Sequence, residues 1–463
     1  MSDTLKTISP VDGSVYVERS YANDTDISDA LALSKKAQES WRLTSIAERA
    51  AYCSKAVDAF VAATQGVAEE ISWMMGRPVR STPGEVAGLE ERARHMIAIA
   101  NDTLSDIPVA EKEGFTRFIR RDPLGVVFVV APWNYPYLTS VNAIIPALMA
   151  GNSVILKHSA QTPLCAERYA EMFREAGLPE GVFQYLHLTH ADTERVIRAP
   201  EVNYVAFTGS VSGGHMVEKA AAGRFIGVGL ELGGKDPAYV RADADIAHAI
   251  ENLTDGAFFN SGQSCCGIER IYVHNSLFDT FVDGCAGLVR QYNLGNPLDQ
   301  ETNLGPVVKT SAADFVRGQI SDAVSSGASA LVDATLFGKA TEGTPYLAPQ
   351  VLVNVDHSMR VMNEESFGPV IGIMSVSSDE EAIDLMNDSE YGLTAAIWTR
   401  DADAALSIGD RVNTGTWFMN RCDYLDPALA WTGVKDSGRG CTLSALGYDH
   451  LTRPKSFHLR TSI

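Results

Sequence analysis

The sequence predicts an α/β protein built on parallel sheets, and three observations lead there. Continuous apolar, β-branched runs recur at residues 125–131, 153–156 and 203–207. Runs of this kind mark strands buried on both faces rather than half-exposed ones. Helical stretches such as 164–176 lie between them, giving the alternation of a parallel sheet. At 463 residues the chain also exceeds one simple core, so two or three domains are expected.

Taken in order, residues 25–120 read mostly helical. Asp26-Ile27-Ser28-Asp29 starts one helix with an acidic, hydroxyl-rich first turn. Residues 85–107 form another, broken by Pro108. Residues 115–121 alternate and end at Asp122-Pro123, the pattern of an exposed strand. After the three buried runs a second α/β series follows Gly234: strand 268–274, helix 276–293, then strands 350–355, 370–376 and 395–399. Residues 454–463 are short, extended and basic, an edge strand that either folds back or joins another subunit's sheet. Parallel sheets bind ligands at the carboxyl ends of their strands. The residues to read are therefore Pro132-Trp133-Asn134, Lys157 and Thr208-Gly209-Ser210. No GxGxxG follows a strand. The nearest run, from Gly209 to Gly214, opens a helix where small residues let backbone approach a phosphate.

Composition narrows the class. With 45% hydrophobic and 21% charged residues the chain is an ordinary globular one. A formal net charge of −20 argues against nucleic acid or an anionic membrane as partner. No apolar run approaches the roughly eighteen residues that span a bilayer, and residues 1–20 lack a signal-peptide core. Seven irregularly spaced cysteines form neither a disulfide framework nor a CxxC pair, and ten histidines form no HExxH. No metal site is expected. Reduced thiols place the chain in the cytoplasm.

Two segments carry chemistry. Leu230-Glu231-Leu232-Gly233-Gly234-Lys235 sets a lone carboxylate beside a flexible Gly-Gly. Asn260-Ser261-Gly262-Gln263-Ser264-Cys265 sets a thiol after a turn of small residues. A thiolate attacks an aldehyde carbon well, and a nearby carboxylate can deprotonate the thiol or an attacking water. Alone, each segment is weak: most cysteines are buried small hydrophobes, and Gly-Gly is usually a turn.

Further segments in the same order give them weight. These are Pro132-Trp133-Asn134-Tyr135-Pro136, Leu156-Lys157, Phe207-Thr208-Gly209-Ser210, Glu364-Glu365-Ser366-Phe367-Gly368-Pro369 and Lys435-Asp436-Ser437-Gly438. With them the chain resembles the aldehyde dehydrogenase superfamily along nearly its whole length. The resemblance implies two Rossmann-type α/β domains and a small β oligomerisation element. The dinucleotide-binding domain would span 1–105 and 124–232, the catalytic domain 233–435, and the oligomerisation strands 106–123 and 452–463. It implies a homodimer or homotetramer and the cofactor NAD or NADP. Cys265 would be the nucleophile and Glu231 the general base. The Asn134 amide, with the Cys265 N–H, would form the oxyanion hole, each donor worth about 3 kcal/mol. Lys157 would bond the adenosine ribose and Ser210, beside Gly209, the pyrophosphate. Glu365 would hold the nicotinamide ribose, with Phe367, Trp133 and Leu232 lining the cofactor pocket.

The chain departs from that pattern in several places. Ala160 stands where NAD-preferring relatives carry glutamate, which removes a charge that repels a 2′-phosphate. His158 would add positive charge, so NADP should be tolerated. Cys266 adjoins the nucleophile, as a tunnel residue or a redox partner. Asn142 stands where succinate-semialdehyde members carry arginine, which argues against an acidic aldehyde. Thr442 replaces a second carboxylate, leaving Glu231 as the base. The expected tunnel is Tyr135, Leu138, Asn142, Ser264, Cys266, Tyr424 and Trp431, mostly uncharged and suited to an aliphatic or aromatic aldehyde. Asp423 and Asp426 leave an amino-aldehyde open. The alternatives are a CoA-acylating enzyme, disfavoured by Glu231, a non-catalytic binding protein and a cysteine hydrolase.

Overall fold

The computed structural model describes residues 4–462. Two parallel sheets organise them. The first has six strands in the order Gly438–Arg439, Gly227–Glu231, Val202–Thr208, Val126–Val130, Ser153–Lys157 and Phe183–Tyr185. The second has seven: Ser329–Ala330, Gln350–Val353, Val370–Val376, Ile268–His274, Asp236–Val240, Thr394–Trp398 and Thr416–Met419. In each sheet only the first-named strand runs antiparallel. Gly438–Arg439 thus returns from the C-terminal region to the edge of the first sheet, whose other strands lie within 124–232.

The apolar runs are continuous because both faces of each strand are covered. Val127 and Val129 point into a core shared with the N-terminal helices. Val126, Phe128 and Val130 point the other way, against Ile27, Val217 and Ile197. The second sheet repeats the scheme, with Ile271 and Val273 on one face and Tyr272 on the other. Each such side chain contributes roughly 1.5–3 kcal/mol by leaving water.

Several sequence expectations shift. The first helix is Asp24–Trp41 and starts at an Asn23–Asp26 capping box. The helix expected at 85–107 is Pro83–Thr103, opened by its own proline. Ile107–Pro108 is instead a two-residue strand paired to Phe118 and Ile119. A hairpin, Thr4–Ile8 with Val15–Ser20, precedes the helical region and was not foreseen. The tail strand Thr452–Arg460 folds back antiparallel on Phe115–Pro123, from Thr452 opposite Pro123 to Arg460 opposite Phe115. Among the described residues no helix is long and apolar enough to cross a membrane.

Candidate active site

Because neighbouring strands run parallel, their carboxyl ends open on one side. Val126–Val130 runs out into Pro132-Trp133-Asn134, Val202–Thr208 into Gly209-Ser210, and Gly227–Glu231 ends on Glu231 itself. Two cavities meet there. One is lined by Trp133, Asn134, Gly209, Ser210, Leu232, Glu365 and Phe367. The other, about 520 Å³, is lined by all seven expected tunnel residues: Tyr135, Leu138, Asn142, Ser264, Cys266, Tyr424 and Trp431. Among the described residues, Cys265 and Glu231 are the only two that line both.

Cys265 is placed by a strained turn. Asn260 and Ser261 have φ of 53° and 57°, a left-handed pair that costs energy and needs outside support. Asn260 supplies it by accepting from Arg77 Nε at 3.0 Å and donating to the Gln263 carbonyl at 3.1 Å. Gly262 continues the turn at φ 71°, and a Cβ there would lie 2.3 Å from the Gly368 carbonyl. Cys266 is 3% exposed, and its thiol donates to Asp423 Oδ1 at 3.0 Å. Its hydrogen bond with Cys265, burial and the Asp423 charge all push the Cys266 thiol well up, so it stays neutral. Of the two adjacent thiols, Cys266 is thus engaged by Asp423, while Cys265 borders both cavities.

Glu231 is held by two hydroxyls. Thr442 Oγ1 donates to one oxygen at 2.6 Å and Thr208 Oγ1 to the other at 3.1 Å. Burial pushes its pKa up, while both hydrogen bonds and the Arg92 charge oppose the rise. Asn134 is 4% exposed, and its amide donates to the Gln263 carbonyl at 3.3 Å. The Gly-Gly after Glu231 is required by two close approaches. A Cβ at Gly233 would lie 2.4 Å from the Glu365 carboxylate, and one at Gly234 would lie 2.4 Å from the Cys265 carbonyl. Glu365 accepts from Gly234 N–H at 3.0 Å, and burial with the Glu269 charge pushes it up to about 7. Phe367 meets Trp133 edge-on at 5.6 Å. The buried Lys235–Glu269 pair fixes this loop, since Glu269 accepts from the Ser366 and Phe367 amides.

Two expected cofactor residues stand away from that cavity wall. Lys157 ends its strand, buried, with no hydrogen-bond or ion-pair partner for its ammonium among the described residues. Burial lowers its pKa to about 8. Ala160 is exposed, and its carbonyl accepts from the Thr7 hydroxyl at 2.8 Å. His158 corrects an expectation. It is buried, its Nδ1 accepts from Ser159 N–H at 3.0 Å, and Nε2 meets the Pro136 carbonyl at 3.2 Å. Burial depresses its pKa to about 3, so it carries no charge toward a phosphate.

The tunnel is also less neutral than the sequence implies. Arg77, Glu91, Arg92 and Asp423 all reach its wall. Three of them come from the N-terminal helical region, which motif reading does not touch. The signal for the helix wall was the spacing Gly84–Gly88–Arg92, one residue per turn on a single face. Gly88 lets that face close on Leu138, since a Cβ there would lie 2.2 Å from it. Asp426 is exposed and caps Ala428, so only Asp423 of the acidic pair faces the cavity. Among the described residues no histidine lines either cavity, which leaves the cysteine-hydrolase reading without a base of that kind.

The fold defines an α/β protein whose two cavities meet at one thiol and one carboxylate, and comparison with known proteins places it further. The aldehyde dehydrogenase family model matches residues 1–457, and the chain belongs to that family. It is 35% identical over 451 residues to an aldehyde dehydrogenase of Paenarthrobacter nicotinovorans, covering 96% of this chain and 97% of the relative. It is 33% identical over 462 residues to a succinate-semialdehyde dehydrogenase [NADP(+)] of Mycobacterium avium, covering 99% and 97%. Among solved structures, NADP-dependent glyceraldehyde-3-phosphate dehydrogenase from Bacillus halodurans, in complex with NADP, superimposes with a TM-score of 0.93 at 31% identity. That match covers 100% of this chain and 96% of the other.

Proposed function

We propose that the protein oxidises an aldehyde to a carboxylic acid through a covalent bond to Cys265. The observation that carries this reading is that, among the described residues, Cys265 and Glu231 alone border both cavities. A substrate in the larger cavity and a cofactor in the smaller then meet across one thiol and one carboxylate. The Cys265 sulfur attacks the carbonyl carbon, and the oxygen that becomes negative lies toward the Asn134 amide. NAD(P), when bound, supplies the hydride acceptor that turns the adduct into a thioester. Glu231, held by Thr442 and Thr208, takes the proton of the water that cleaves the thioester and releases the acid.

The smaller cavity suits a dinucleotide. Ser210 opens the helix Val211–Ala221 with Gly213 N–H on its hydroxyl at 3.2 Å, and the first turn carries Gly213 and Gly214. The unpartnered Lys157 ammonium is an orphan that ribose hydroxyls would satisfy. Ala160 offers no carboxylate against a 2′-phosphate, so both NAD and NADP are accepted. This tolerance rests on absent repulsion alone, because His158 is neutral. The paired strands Phe115–Pro123 and Thr452–Arg460, with Phe118 stacked on Phe457 at 4.6 Å, form the surface through which subunits associate.

The test is NAD(P)H formation with a panel of aldehydes and each cofactor. Turnover should vanish in Cys265→Ser and survive in Cys266→Ser. Turnover persisting in Cys265→Ser would overturn the covalent assignment. An efficiency ratio between the two cofactors above about a thousandfold, some 4 kcal/mol, would overturn the tolerance.

A further inference from the structure

Arg92 is 7% exposed and lines the substrate cavity, yet it lies in no ion pair. Its Nη1 donates to the Leu138 carbonyl and to Asn142 Oδ1 at 3.4 Å. No carboxylate stands within salt-bridge distance among the described residues. Burying an uncompensated guanidinium is costly, and natural interiors rarely leave one so. The adjacent polar groups share the same want. A guanidinium can only donate, so the Asn142 amide must turn its oxygen to Arg92. Its NH2 is then buried with no acceptor, as is the Tyr135 hydroxyl. Both residues line the same cavity. The Arg92 Nε and Nη2 hydrogens, with no acceptor among the described residues, thus border the space that ends at Cys265, with the unpaired Asn142 and Tyr135 donors packed in its wall.

We propose that Arg92, flanked by Asn142 and Tyr135, is an anion subsite that selects aldehydes bearing a carboxylate at the end remote from the carbonyl. This rests on the aldehyde-oxidising reading above and names its substrate class. It reverses the expectation drawn from the lack of arginine at position 142. The charge sits one helix away, on Pro83–Thr103, and reaches the same region through Asn142.

The other charged groups at the cavity fit this assignment. Arg77 is neutralised by Glu85 at 2.6 Å. Glu91 accepts from the Tyr424 hydroxyl at 2.8 Å, and Asp423 accepts from Ser264 and Cys266, each at 3.0 Å. Glu231, also on the cavity wall, accepts from Thr442 and Thr208 and interacts with Arg92 only from beyond salt-bridge distance, so these carboxylates already hold donors and none pairs directly with Arg92. One guanidinium matches a monoanionic carboxylate. A phosphate dianion would meet only one cation here, with Glu91 and Asp423 close by.

The experiment compares kcat/KM for succinic and glutaric semialdehydes with butanal and pentanal. Glyceraldehyde 3-phosphate and 4-aminobutanal serve as the phosphate and cationic probes. Wild-type enzyme should favour the carboxylated aldehydes, mostly through KM. Arg92→Leu should lower that preference by about thirtyfold or more, the range for losing a charged hydrogen bond. Arg92→Lys should restore part of it. Because Arg92 also braces Leu138, Asn142→Asp gives a second route, placing a competing carboxylate against the guanidinium without removing it. It too should erase the preference. Equal losses on charged and neutral aldehydes in both Arg92→Leu and Asn142→Asp would overturn the subsite. So would a wild-type preference for pentanal, for the phosphate or for the amine. Absence of turnover with every aldehyde would instead count against the parent reading, which the Cys265→Ser control tests separately.

Discussion

The choice of Glu231 as base is written in its immediate surroundings. A carboxyl enclosed by protein is pushed toward its neutral form, and only groups that stabilise the charge resist this. Here the resistance comes from Thr442 and Thr208, with Arg92 behind them. Glu231→Gln should still form the thioester but fail to hydrolyse it. A burst of NAD(P)H, at most one per site, should precede a steady rate lowered on the order of a hundredfold. Loss of the burst as well would move Glu231 to an earlier step. In wild type the base must be ionised, so kcat should rise with pH along a limb above the usual carboxylate value of 4.5. Thr442→Val removes a donor that favours the ionised form, so the pKa rises and the limb moves to higher pH. A limb moving to lower pH would show that Thr442 does not stabilise the charge. The sequence marks Glu231 and Cys265 by their small-residue neighbours. It does not mark which hydroxyls hold Glu231, because Thr442 is remote in the chain.

At the level of elements, the site is a set of loop ends pressed together, and glycine is used where backbone must approach. Gly233 and Gly234 are adjacent but face different obstacles. The nearest atoms to a Gly233 Cβ are the Glu365 carboxylate, the mobile end of a side chain. The nearest to a Gly234 Cβ is the Cys265 carbonyl, which is backbone and cannot swing away. Gly233→Ala should keep its melting temperature and bind NADP about tenfold more weakly, since a displaced carboxylate loses its hydrogen bond. Gly234→Ala should melt lower and lose activity, because the loop of the nucleophile must shift. The check is cofactor titration alongside thermal unfolding; equal behaviour of the two would refute the distinction. Strand loops of this kind were legible, because buried runs and their following residues are local patterns. The Pro83–Thr103 helix was legible as a helix, but its role as a cavity wall was not. Periodicity shows which face is apolar, not which neighbour that face meets. The tail strand was recognisable by its extended, basic character, while its pairing to Phe115–Pro123 needed the fold.

Across the whole molecule, one buried pair ties the N-terminal helices to both sheets. Arg77 is 2% exposed and its partner Glu85 is fully buried. Arg77 also donates to the Asn134 carbonyl, on the first sheet's loop, and to Asn260, on the loop that carries Cys265. Glu85 accepts from the Tyr137 and Leu138 amides at 3.1 and 3.0 Å. Those amides open the helix Pro136–Met149, which has no capping side chain of its own, so Glu85 caps it from another element. The pair therefore joins oxyanion residue, nucleophile loop and tunnel helix. A buried pair is worth little against an apolar replacement, but breaking it by removing one partner costs about 3–5 kcal/mol. Arg77→Met leaves Glu85 charged, buried and unpaired. It should lower the melting temperature and abolish turnover, since Asn134 and Asn260 lose their common donor. Arg77→Met with Glu85→Gln removes the stranded charge and keeps an acceptor for the two amides. The double variant should regain much of the melting temperature but little of the activity. That split separates the electrostatic cost of the pair from its positional role. A double variant no more stable than Arg77→Met would place the loss in packing, and one that regained full turnover would show that the site assembles without this tie.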